Sequence, residues 1–251
     1  MKISVAALTH TGLVRAHNED SIAVDSWLNQ DDMREAALFE LSLDKPRILI
    51  IADGMGGHQS GEIASFFVVE HLSALLQQLK HINQESIEAA LTQTNSALYE
   101  LINTNFGYQG MGSTLVGVAF SDETLHIFNV GDSRAFRLQD GFLEQLSIDD
   151  TPKYSGFGDG IPFKTGVITQ AFGGYSVHTS IEPHFCSKSC QPGTTLLLCS
   201  DGLSDLVSLD ALENAFEQQD LSATAKRMFD LAVNAGGYDN ISIIVIRVDS
   251  D

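Results

Sequence analysis

The chain has 251 residues, 43% of them hydrophobic, enough to bury one sizeable core or at most two. Acidic residues outnumber basic ones 33 to 14, for a formal net charge of −19. That balance argues against nucleic acid and anionic membrane surfaces as partners, because both repel an acidic protein.

No apolar run approaches the roughly 18 residues needed to span a bilayer. The opening M-K-I-S-V-A-A-L-T-H reads as a first strand rather than a signal peptide. No Pro-rich, Ser-rich or repeated segment divides the chain, so one domain over 1–251 is expected. The cysteines are Cys186, Cys190 and Cys199, an odd number; the C-x₃-C pair has no second pair, which argues against zinc. A reduced, cytoplasmic setting is expected.

In chain order, residues 3–9, 21–25 and 47–52 read as strands. Residues 59–80 carry Val68, Leu72, Leu75, Leu76 and Leu79 on one helical face, and 84–104 carry Ile87, Leu91, Thr94, Leu98 and Leu101. Strands follow at 113–120, 124–130, 134–138 and 142–145, with Asp140-Gly141 as a hairpin turn. Then come strands at 195–200 and 241–248 and a helical region over 210–234, broken near 219–221. Residues 26–46 and 151–169 fit no regular element; the second, rich in Gly and aromatics, reads as a short flap. Strands joined by turns, with helices in runs, predict an α+β fold. The expected form is a four-layer α/β/β/α sandwich, two antiparallel sheets flanked by helix pairs.

Four short motifs stand at strand ends or turns: G-L-V-R-A-H-N-E-D (12–20), A-D-G-M-G-G-H (52–58), S-D-G-L-S-D (200–205) and G-G-Y-D-N-I-S (236–242). They offer Glu19, Asp20, Asp53, Asp201, Asp205, Asp239 and one arginine, Arg15. Carboxylates converge only if a cation neutralises them, and an all-oxygen set favours Mg²⁺ or Mn²⁺. An arginine beside such ions suits a bidentate grip on phosphate.

Each motif alone has a plainer reading. Asp-Gly is foremost a turn dipeptide, which suffices for Asp140-Gly141 and Asp159-Gly160. Asp53 and Asp201 differ, because each ends an apolar run (R-I-L-I-I-A and T-L-L-L-C-S) where an unpartnered acid is costly. Glu19 and Asp20 lie on opposite faces of a strand, so one can be a direct ligand while the other holds a water or an adjacent backbone group. Asp239-Asn240 could be a turn, Arg15 a surface cation, and Gly131–Arg134 a tight turn between strands.

Taken in order, these motifs, with G-M-G-S-T-L-V (110–116), N-V-G-D-S-R (129–134) and I-T-Q-A-F-G-G (168–174), resemble the metal-dependent type 2C Ser/Thr protein phosphatases over nearly the whole chain. Met55, where many eukaryotic members have histidine, resembles the bacterial branch. The resemblance implies hydrolysis of phosphoserine and phosphothreonine by a metal-activated water at a binuclear Mn²⁺ or Mg²⁺ centre. Asp53 would bridge the two ions, with Asp201 and Asp239 on the first. Glu19 and the Gly54 carbonyl would hold the second, with Asp20 in its water shell. Asp132, Asp201 and Asp205 match a weaker third site, and Arg15 would bind the substrate phosphate.

The implied partners are phosphorylated Ser/Thr proteins and an opposing Ser/Thr kinase. A phosphoprotein-binding pseudophosphatase and a small-molecule phosphoesterase are the alternatives. His10 stands where the family has aspartate, and Asp149-Asp150-Thr151 replaces its Asp-His-Ser. Met55 cannot protonate the leaving group, which leaves a bound water or His58.

Overall fold

A computed structural model describes residues 1–56, 60–152, 167–218 and 220–250. In chain order they form β1 (Lys2–His10), β2 (Asp20–Val24), β3 (Trp27–Asn29), β4 (Ala37–Ser42), β5 (Arg47–Met55), α1 (Ser60–Gln77) and α2 (Gln84–Thr104). There follow β6 (Gly112–Ser113), β7 (Leu115–Ser121), β8 (Thr124–Val130), β9 (Arg134–Gln139), β10 (Phe142–Gln145), β11 (Phe172–Gly173) and β12 (His184–Ser189). The chain ends with β13 (Thr195–Cys199), α3 (Asp201–Ser204), α4 (Leu209–Ala215), α5 (Leu221–Asn234) and β14 (Ile241–Asp249).

One sheet runs β10-β9-β13-β14-β1-β4; the other runs β11-β6-β5-β7-β8-β12, with β2 on β5 and β3 on β2. Every pairing is antiparallel.

Strand alternation sorts the side chains into three cores. Leu49 and Ile51 of β5 meet Leu196 and Leu198 of β13 and Ile244 and Ile246 of β14 between the sheets. The other face of β5, Ile48, Ile50 and Ala52, packs under Val68 and Leu72 of α1 and Leu91 and Leu98 of α2. On the far side, Leu197, Ile243 and Val245 pack under Leu212 of α4 and Ala225 and Met228 of α5. The four layers are those expected, helix pair, sheet, sheet, helix pair.

Local chemistry sets several boundaries. Asn83 caps α2 by taking the Ser86 amide at 2.9 Å, while Ser86 Oγ takes the Asn83 amide at 3.0 Å. Asp220 caps α5 through the Ala223 amide at 2.8 Å. Asp140 and Gly141 take φ values of 53° and 87°, the left-handed pair of a two-residue hairpin turn.

Three expectations need correction. Residues 26–46 are not irregular: they hold β3 and β4, and β4 completes the edge of the six-stranded sheet beside β1. In β4, Phe39 and Leu41 pack inward while Leu38, Glu40 and Ser42 stay exposed. That alternation is short and faces solvent, so the sequence signal is weak. The strand expected over 113–120 is interrupted at Thr114, and β11 and β12 were not anticipated. Residues 153–166 of the expected flap, with Asp159-Gly160 inside them, and His58 lie outside the described residues.

Candidate active site

Asp20 opens β2 and stands directly opposite Asp53 of β5. Both continue the inter-sheet rows, Asp20 after Ile22 and Val24 and Asp53 after Leu49 and Ile51. Ser200 continues the Leu196–Leu198 row of β13 and donates to Asp20 Oδ2 at 2.8 Å; its oxygen accepts the Ser242 amide at 3.0 Å. Behind them, Thr9 and Ser242 hydroxyls lie 2.7 Å apart, and Asn18 Nδ2 donates to Thr9 at 2.9 Å. The ends of four strands thus meet through buried hydroxyls, leaving the carboxylates on top.

Two glycines permit the convergence. A Cβ on Gly202 would collide with the Asn240 carbonyl, so Asp201 can start α3 against the Asp239 loop only with glycine after it. Gly12, at φ 82°, lies with its backbone on the Asp239 carbonyl.

Asn240 braces the two loops. Its side chain takes the Glu19 amide at 2.9 Å and donates to the Thr11 and His17 carbonyls at 2.9 and 3.0 Å. Its own amide donates to Asp239 Oδ1 at 2.9 Å. His10 Nδ1 accepts the Gly12 amide at 3.0 Å, which puts the ring proton on Nε2, facing Asp32 at 4.0 Å.

Asp132 sits in the turn between β8 and β9. Thr114, the residue interrupting the strand, receives the Asp53 amide on its hydroxyl at 3.2 Å and shares a 2.8 Å hydrogen bond with Ser133. Arg134 then spans Asp149 at 2.7 Å and Asp205 at 3.2 Å. Asp150 accepts the Gly131 amide at 2.8 Å, Gln170 at 2.9 Å and contacts His184 Nε2 at 2.8 Å.

The electrostatics are those of an uncompensated anion cluster. Burial and then hydrogen bonds from Ser242 and Ser200 act in opposite senses on Asp20, and burial wins, pushing it up to about 7. Asp201 is pushed up to about 7 by burial and by Asp132 and Asp239, and Asp132 to about 6 by burial and by Asp205. Asp53 is raised well above the usual carboxylate range by burial and by Asp20, Asp201, Asp239 and Asp132.

Arg15 is half exposed and pairs with Asp239 at 2.7 Å. Glu19 faces the α1 side, beside Gly61, where a Cβ would come within 2.8 Å of its carboxylate and 3.0 Å of the Gly54 carbonyl carbon. Its acid is raised mainly by burial, with Arg15 opposing.

Every described sequence candidate therefore lies at one end of the sandwich: Asp20, Asp53, Asp132, Asp201 and Asp205 in mutual field, Glu19 with Gly54 on the helix side, and Asp239 held by Arg15. The donor set is all oxygen. Asp20 Oδ1 and Asp201 Oδ1 are buried without a hydrogen-bond partner, as expected of atoms built to meet a cation. Among the described residues no three His, Cys, Asp or Glu side chains close into a ready-made coordination set. Asp239 is turned to Arg15 and Asp205 to Arg134.

Sequence reasoning passed over Ser200, Asn240, Ser242 and Thr114, although all four stand inside the quoted motifs. The period-two rows that place Asp20 and Asp53 also place Ser200 and Ser242, so that signal was available. Burial pushes the Cys199 thiol up to about 12, leaving it an inert core side chain and no nucleophile.

The profile of the Protein phosphatase 2C family matches residues 20–236. Serine/threonine protein phosphatase PstP of Mycobacterium tuberculosis is 32% identical over 97% of this chain, which spans only 44% of that relative's length. Serine/threonine phosphatase stp of Listeria monocytogenes is 31% identical over 96% of this chain and 94% of its own. A crystal structure of the PstP catalytic domain in complex with two manganese ions superimposes with a TM-score of 0.80 at 31% identity, covering 100% of both chains. With the motifs, the fold and the carboxylate cluster in agreement along the same residues, the chain belongs to the protein phosphatase 2C family.

Proposed function

We propose that the chain is one phosphatase domain that hydrolyses phosphoserine and phosphothreonine in proteins at a binuclear Mn²⁺ or Mg²⁺ centre. The observation that carries this reading is the pair of unpartnered buried oxygens, Asp20 Oδ1 and Asp201 Oδ1, flanking Asp53 in an all-oxygen site beside Arg15. Asp53, Asp201 and Asp239 would hold the first ion. Asp53, Glu19 and the Gly54 carbonyl would hold the second, with Asp20 in its water shell; Asp132, Asp201 and Asp205 would hold a looser third. When bound, the ions supply an activated water and neutralise charge on the phosphoryl group.

The chain's own residues do the rest. With Asp239 among the residues that would hold a cation, Arg15 would be free to turn its fork to the phosphoryl oxygens. Thr114 accepts the Asp53 amide, and Asn240 accepts the Glu19 amide while donating its own amide to the Asp239 carboxylate, so the loops that carry these residues are held in place. Ser200 and Ser242 hold Asp20 in place as a hydrogen-bond acceptor.

No helix of the described residues is long and apolar enough to cross a membrane, and the −19 charge suits neither membrane nor nucleic acid. A cytoplasmic enzyme opposing a Ser/Thr kinase fits these properties. The test is turnover of phosphoserine and phosphothreonine peptides against sugar and nucleotide phosphates, with Mn²⁺, with Mg²⁺ and with EDTA. Metal-dependent preference for the peptides supports the reading. Equal or better use of the small esters makes it a small-molecule phosphoesterase. Tight phosphopeptide binding without turnover makes it a pseudophosphatase.

A further inference from the structure

Three large apolar side chains stand exposed in the two loops that carry Arg15 and Asp239: Leu13 (64%), Val14 (62%) and Tyr238 (62%). Single exposed apolar residues are ordinary on any protein. Here Val14 immediately precedes Arg15, Tyr238 immediately precedes Asp239, and Arg15 and Asp239 are joined at 2.7 Å. The apolar residues therefore border the phosphate-gripping arginine from both loops.

The rim is built rather than loose. Leu13 donates its amide to the Gly237 carbonyl at 2.8 Å. Gly237 takes φ 51°, and a Cβ there would come within 3.0 Å of Leu13 Cγ. Gly236 takes φ 123°, and any Cβ on it would run into the Tyr238 ring, which lies over that glycine. Asn240 ties the same two loops together from below. The glycines thus make room for Leu13 and Tyr238, and the backbone docking holds them where a bound chain would pass.

Position narrows the occupant. A substrate whose phosphate meets Arg15 would bring the side chain next to its phosphoresidue over Val14 and Tyr238, which immediately precede Arg15 and Asp239 in the two joined loops. An apolar side chain gains there by leaving water. We propose that Leu13, Val14 and Tyr238 form a substrate subsite that takes an apolar side chain adjacent to the phosphorylated residue of a protein substrate. The proposal rests on the phosphatase reading and names the substrate class for it.

The test uses the whole chain with Mn²⁺ and paired phosphothreonine peptides differing only in Leu or Ser next to the phosphoresidue, on either side. Wild type should favour one Leu-flanked peptide by roughly 3–10-fold in kcat/KM, the scale of one partly buried apolar side chain. Leu13→Ser and Tyr238→Ser should each bring that ratio toward one. Phe142→Ser, which removes an apolar side chain 70% exposed on β10, should leave it unchanged. Because the readout is a ratio between peptides, a smaller folded fraction does not alter it. Equal cleavage of the pairs by wild type, or a preference that survives both rim substitutions, overturns the subsite alone. No cleavage of any peptide overturns the phosphatase reading and the subsite together.

Discussion

Asp20 and Asp53 face one another across the register of β2 and β5, both on the side where the two sheets meet. Two acids so placed destabilise each other when ionised, and burial adds to the cost. The same juxtaposition that weakens the metal-free protein is what a cation needs. Asp53→Asn should therefore lower kcat by at least about 10²-fold, because it removes the carboxylate proposed to serve both ions. In EDTA near pH 8 it should also melt at a higher temperature than wild type. Steady-state kinetics and thermal unfolding of the one variant check both. A variant that is slow but no more stable without metal would contradict the repulsion argument.

Arg15 and Asp239 form an ion pair 2.7 Å long, half exposed on the arginine side. On the proposed assignment, a cation and the arginine would compete for that carboxylate. Arg15→Ala should bind Mn²⁺ at least as tightly as wild type by calorimetry. It should lose about 2–4 kcal/mol in kcat/KM, mainly through KM, as a charge-assisted phosphate contact disappears. Arg15→Lys should recover only part, lacking the bidentate fork. Weaker Mn²⁺ binding in Arg15→Ala would show the arginine to be a structural support rather than a phosphate grip.

Much of this was legible because long, strongly periodic elements carry it. The helix over 84–104 and the strands over 124–130 and 142–145 occupy the expected residues, and apolar runs ending in Asp53 and Asp201 announced buried strands with acids at their mouths. Less legible was β4, whose Phe39–Leu41 alternation is short and edge-exposed, and β12, whose H-F-C-S-K-S reads as loop without its partner β8. Alternation separated Glu19 from Asp20 correctly. Only the pairing register shows that Asp20 is the one beside Asp53 and Glu19 the one beside Gly61. The Arg15–Asp239 and Arg134–Asp205 pairs are invisible in sequence because residues far apart in the chain meet only after the loops dock.

Asp132 and Asp205 lie in each other's field next to Asp201, and Arg134 takes part of the Asp205 charge at 3.2 Å. A site of this kind binds its ion loosely and keeps several waters. Asp132→Ala and Asp205→Ala should leave two tightly bound Mn²⁺ per chain while slowing turnover. The slowing should be partly relieved at high metal concentration. A crystal soaked in high Mn²⁺ with no ion beside these residues, together with normal turnover in both variants, would remove the third site.

Asp150 replaces the histidine of the family pattern and gathers the Gly131 amide, Gln170 and His184 around one carboxylate. Its side chain is only 11% exposed, so truncation strands several donors at once. Asp150→Ala should cost about 2–4 kcal/mol of stability in denaturant unfolding. His184→Gln, which keeps a donor for the carboxylate, should cost much less. Equal losses in the two variants would mean that the pairing with His184, rather than the Gly131 and Gln170 contacts, carries the stability.

Without bound cations the carboxylates also set how stability depends on pH. Asp20 and Asp201 sit at about 7 and Asp132 at about 6, against 3.8 for an ordinary aspartate. Between those limits the folded chain holds more protons than the unfolded chain, so these groups subtract stability as pH rises from about 4 to about 7. Above that window their penalty is complete. Divalent ions bind the deprotonated forms and should reverse it by mass action. Thermal unfolding at pH 5 and pH 8, with EDTA or saturating Mg²⁺, should show a gap between the two conditions that widens at pH 8. Asp20→Asn should flatten the fall with pH in EDTA, because it removes one of the raised groups and relieves Asp53. A gap of the same size at both pH values, or an unchanged slope in Asp20→Asn, would mean that the cluster is neutralised by something other than protons and metal.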